Sequence, residues 1–222
     1  MLRTKFSNLN LMGVVLILAA CSAADRAVAP TQGRIAMPLG APSLDVIVNS
    51  MAPDSTSADF TVTPSGGMFV LGKHAVYFPD HAICDPATSS YGQGHWDEPC
   101  TALDTPIDFH AEIRSDGNGG AWVDFTPSVR FVPTDDAAQS VWLMLKTGTE
   151  ANESNIQGLA LLWAPELGSA ERVNEASFDP SLKTYVDMHR SIVFRRIKHF
   201  SGYIVAFDVP DQSVLDEIIP LW

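Results

Sequence analysis

Nine residues in the middle of the chain, PIDFHAEIR from Pro106 to Arg114, restrict the fold more than any other stretch. Ile107, Phe109, Ala111 and Ile113 alternate with Asp108, His110, Glu112 and Arg114. Alternation at every second residue is the period of a strand, so one face is dry and the other wet. SDGNGG follows, then AWVDFTP, a turn and a second apolar-aromatic run. Together they predict a hairpin whose strands lie on a core. GMFVL, HAVYF, VRFV, SVWLML, GLALLW, KTYVDM, SIVFRRI and GYIVAF are further strand candidates, each short and bounded by turn residues. No run of three helical turns is amphipathic. Many short strands with frequent turn signals predict an all-β protein, an antiparallel sandwich, with a C-terminal tail over 211–222 that makes at most one helical turn.

The two ends do not share this pattern. Arg3 and Lys5 precede LMGVVLILAA, an apolar run from Leu11 to Ala20. Ten residues are too few to span a bilayer, which takes about 20, and suit a secretory signal. The run closes in LAACS, Leu18 to Ser22, which resembles the lipobox of bacterial lipoproteins. That resemblance implies cleavage before Cys21 and acylation of its sulfur. With Ser22 next, it further implies delivery to the outer membrane if the host is a diderm. Acyl chains contribute about 0.8 kcal/mol per buried methylene, so several hold a protein on a membrane without a spanning helix. Residues 21–58 then read as a lipidated N-terminus and tether rich in Ala, Pro, Ser, Thr and Gly, in which LDVIV, Leu44 to Val48, is either a first strand or an apolar part of the tether. The sandwich is expected over 59–210.

The net charge of −12 becomes −14 once residues 1–20, with Arg3 and Lys5, are removed. Such a chain is repelled by nucleic acid and by anionic lipid surfaces. The expected partners are the membrane, through the lipid anchor, and an envelope protein or glycan. No cofactor is implied.

Cys84 and Cys100 remain after Cys21, and an even pair in an exported chain predicts a disulfide. The competing reading is a metal site built from His81, Cys84, His95 and Cys100, whose spacing is loose for zinc. The loop between the cysteines holds Tyr91, His95 and Trp96, and Trp96 has a face on which a sugar or aromatic ligand can stack. The other reading of Trp96 is a peg that pins the loop to the body.

DGNGG, Asp116 to Gly120, starts like a calcium loop, but the twelfth position is Pro127 where a glutamate is needed, so a hairpin turn is preferred. RRIK, Arg195 to Lys198, is a basic island expected to pair with acids on a neighbouring strand. The chain has no nucleophile elbow, HExxH, P-loop or dinucleotide fingerprint.

Three segments share a further pattern: SGGMFVLGKHAVYFPDHAI from Ser65, VDFTPSVRFVPTDDAAQSVWLMLK from Val123 and IVFRRIKHFSGYIVAF from Ile192. Over roughly 60–208 they resemble the ZU5 domain, a β-sandwich of ankyrins, netrin receptors and death-domain adaptors. The resemblance implies a non-catalytic binding or scaffolding module. Some members of that wider group cut themselves between the Phe and Ser of an HFS tripeptide, and His199, Phe200 and Ser201 form one. Two readings of HFSGY therefore stand. In one, Phe200 fills the core and Gly202 makes a kink. In the other, Ser201 attacks the Phe200 carbonyl with His199 or His189 as base. The expectation is the non-catalytic module, with self-cleavage and a ligand site on the Cys84–Cys100 loop as rivals.

Overall fold

The computed structural model describes residues 56–149, 151–152 and 156–207. The expected signal peptide, Cys21, LDVIV and the 211–222 tail lie outside these residues. The strands, in chain order, are β1 Ser57–Val62, β2 Gly67–Leu71, β3 His74–Phe78, β4 Ile107–Ser115 and β5 Ala121–Thr126, then β6 Val141–Lys146, β7 Ala160–Trp163, β8 Tyr185–Asp187, β9 Ile192–Ile197 and β10 Tyr203–Ala206. They form two antiparallel five-stranded sheets, β1-β4-β5-β10-β7 and β2-β3-β6-β9-β8. Among the described residues the only helical pieces are three-residue 3-10 turns.

The expected hairpin is present as β4 and β5, with Ser115 opposite Ala121. Phe109, Ala111 and Ile113 are buried, while Asp108, His110 and Arg114 are exposed. The turn between them uses the Asp116 carboxylate itself, which accepts from Asn118 N at 2.8 Å and Gly120 N at 2.9 Å. Four phenylalanine rings, Phe78, Phe109, Phe125 and Phe131, meet Phe200 between the sheets, and its ring lies 3.9 Å from that of Phe125 and nearly parallel to it.

β9 is buried along its whole length. Ile192 and Phe194 pack on the outer side with Trp142, and Val193 and Ile197 face the main core. Arg195 shares that inner face by strand alternation and is 0% exposed. Its guanidinium crosses to the opposite sheet, where it donates to the Leu161 carbonyl at 2.7 Å.

VRFV does not form a strand. Its residues lie between segments 82–84 and 198–200 and make one isolated bridge to each, Phe131 with Ile83 and Arg130 with His199, so no ladder extends. This pair of bridges closes one end of the sandwich. Cys84 N donates to Arg130 O at 3.0 Å, and Phe200 N donates to Val129 O at 2.7 Å. The roots of the disulfide loop and HFSGY are thus tied to the same four residues. Cys84 and Cys100 are bonded, with α-carbons 5.7 Å apart.

Candidate functional site

β9 and β10 belong to different sheets, so the five residues from Lys198 to Gly202 form a crossover between layers. Gly202 is required by a close approach: a β-carbon there would lie 2.0 Å from the Ala164 carbonyl oxygen. Ala164 N donates to Gly202 O at 2.9 Å, and the Tyr203 hydroxyl donates to His199 O at 2.9 Å. The crossover is pinned on both sides of the Phe200–Ser201 bond. Neither residue takes a positive φ.

His199 is 1% exposed. Its Nε2 faces Glu175 Oε1 at 3.0 Å, and its Nδ1 faces Ser201 Oγ at 3.3 Å. Glu175 opens a 3-10 turn whose preceding residue, Asn174, accepts from Ala176 N at 3.2 Å. The other Glu175 oxygen pairs with the Arg195 guanidinium. Burial alone would raise the Glu175 pKa, but Arg195 and the hydrogen bond from His199 outweigh it and hold it below the ordinary value. An ionised carboxylate only accepts, so Nε2 carries a proton toward Glu175, and in the neutral imidazole the Nδ1 lone pair then faces Ser201.

The Trp163 indole N–H, a donor only, lies 2.7 Å from Ser201 Oγ. The serine oxygen accepts from Trp163, and its own proton points to His199 Nδ1. The Tyr91 hydroxyl donates to the Phe200 carbonyl oxygen at 2.6 Å. Burial raises the Tyr91 pKa, so the phenol stays protonated through the neutral range. Trp96 stacks on His199 with ring centres 4.1 Å apart and planes 14° apart.

Two candidate sites separate in the sequence, HFSGY and the Tyr91–Trp96 loop, thus meet at one peptide bond. His95 does not join them. It pairs with Glu98 at the surface. His189 follows β8, at the far end of β9 from His199, roughly 20 Å away at 3.3 Å per residue. The metal reading fails on its ligands: both sulfurs are in the disulfide, and His81 sits exposed beside Asp80. RRIK pairs with acids, but not on a neighbouring strand. Arg195 takes Glu175 from a 3-10 turn, Lys198 takes Asp97 and Asp179 from loops, and Arg196 donates to the Ser181 and Asp135 carbonyls.

Glu175 and Trp163 carry no sequence signal for this role. In VNEASFDP the glutamate reads as a surface turn residue. No protein-family model matches the chain, and no curated protein matches it.

Proposed function

We propose that this protein is an exported, lipid-anchored β-sandwich that cuts its own chain between Phe200 and Ser201. One observation carries the reading: Ser201, a histidine oriented as a base by Glu175, and a hydroxyl donor on the Phe200 carbonyl all converge on that bond. The geometry favours this rival over the non-catalytic module expected from the sequence. The export and anchoring part rests on the lipobox-like LAACS, with acylation at Cys21, and is supported by the disulfide. The ZU5 likeness remains a proposal supported by the sandwich.

The chemistry balances with water as the only co-reactant. His199 Nδ1 takes the Ser201 proton as Oγ bonds to the Phe200 carbonyl carbon, closing a five-membered ring. Negative charge moves onto the Phe200 oxygen. The C–N bond then breaks, and the Ser201 nitrogen takes the proton from His199. The resulting ester is hydrolysed by water with His199 again as base, leaving a Phe200 carboxylate and a Ser201 amine.

The test is the denatured mass of the full chain and of Ser201→Ala. Self-cleavage gives a piece running from Ser201 to Trp222 in the first and one intact chain in the second. An intact chain in both would leave the non-catalytic membrane-anchored module as the reading, with an envelope protein or glycan as partner. The ligand-binding rival is weakened because one face of Trp96 is already taken by His199.

A further inference from the structure

The loop closed by the disulfide contributes more than a staple. Its 15 residues, Asp85 to Pro99, contain a single 3-10 turn and otherwise no regular structure. The loop is fastened at its base. Asp85 N donates to Thr101 O at 2.8 Å, the buried Arg130 donates to Glu98 O at 2.5 Å, and Lys198 pairs with Asp97 at 2.5 Å. From this base the loop sends Tyr91 and Trp96 onto HFSGY, and Tyr91 packs edge-on against Trp96 with ring centres 4.9 Å apart.

Resting on the self-cleavage reading, we infer that Tyr91 is a catalytic residue, the oxyanion donor at the Phe200 carbonyl, and that the Cys84–Cys100 bond makes cleavage conditional on oxidation. Among the described residues, the Tyr91 hydroxyl is the donor that reaches this oxygen. A carbonyl oxygen carries partial charge and the oxygen of the tetrahedral intermediate carries a full one. The Tyr91 hydrogen bond therefore strengthens as the reaction proceeds, which is what lowers a barrier. Tyr91 is 43% exposed, so the body of the protein covers only part of it. Its position depends on the loop's closure. With free thiols the loop has many more conformations open to it, and most take the hydroxyl away from Phe200. Oxidation of the pair gives two electrons and two protons to an external disulfide such as oxidised glutathione. Cleavage would then follow export and not precede it.

The experiment uses the full chain with Cys21→Ser, so that only Cys84 and Cys100 can pair. It is produced and purified reduced, then moved into oxidised glutathione, and the Ser201–Trp222 piece is followed by mass. The expected result is cleavage that starts with disulfide formation and runs at least tenfold faster than under reductant. Tyr91→Phe keeps the ring and the disulfide but should cut about 10²–10³ times more slowly. Because Tyr91→Phe is read in the oxidised state, it decides the matter even if the reduced chain unfolds. Equal rates in the two redox states, or wild-type rate in Tyr91→Phe, overturn this inference and leave self-cleavage standing. An intact chain in every arm overturns both.

Discussion

Glu175→Gln separates the two roles of the buried carboxylate. Glu175 serves two partners, Arg195 with one oxygen and His199 Nε2 with the other. A glutamine has one oxygen. Arg195 has no acceptor capacity, so that oxygen must go to the guanidinium and the amide N–H₂ must face His199. Nε2 then has to accept, and its proton moves to Nδ1, which can no longer take the Ser201 proton. Cleavage should fall by a factor of up to about 10⁴, the size seen when the carboxylate behind a catalytic histidine becomes an amide. The same change leaves the fully buried Arg195 cation without its counter-charge, which costs about 3–5 kcal/mol. In a Ser201→Ala background, where all chains are single, the urea midpoint should drop by roughly 1.5–2.5 M for a slope of about 2 kcal/mol/M. Wild-type cleavage in Glu175→Gln would refute the assignment of Nδ1 as the base. A midpoint loss below roughly 0.5 M would refute the claim that the pair is held in a low-dielectric core.

Two further outcomes follow from the site. Gly202→Ala places a β-carbon against the Ala164 carbonyl and should cost at least about 2 kcal/mol in a chemical melt, because a backbone atom cannot step aside as a side chain does. Glu175 and Asp179 both titrate below their ordinary values of 4.5 and 3.8, so the native state binds fewer protons than the unfolded chain in that range. Their contribution is complete above about pH 4.5 and is lost as pH falls through the lowered values. Burial raises Asp124, which works the other way but has no buried cation to lose among the described residues, so urea midpoints for Ser201→Ala should fall from pH 7 to pH 3, and a flat profile would contradict it.

The strands were legible wherever one face met water. At 106–114 the solvent imposed polar residues at every second position, and the structure follows that pattern. β9 was legible only as an apolar run, and its arginines read as a basic island paired with acids on a neighbouring strand, since strand period cannot say that Arg195 points inward to a buried glutamate on a turn. VRFV has the composition of a strand, but its partners are two separate segments, 82–84 and 198–200, and pairing is not written in local propensity. Of the site, HFSGY, Tyr91 and Trp96 each stood out as residue types, yet their meeting depends on a contact across 109 positions. Glu175 arrives through a turn fixed by Asn174, and nothing in its own neighbourhood distinguishes it from any exposed acid.

The central place of β10 gives a cut after Phe200 a mechanical meaning. β10 lies between β5 and β7, aligned with β7 over four residue pairs and with β5 over two. A severed β10 would stay seated, yet the chain before Phe200 and the chain after Ser201 would be joined only by hydrogen bonds and packing. Tension along that strand loads its ladder bonds in shear, all at once and not one after another. The domain would hold under slow or weak pulls, and would part at a threshold where an uncut chain could only unfold.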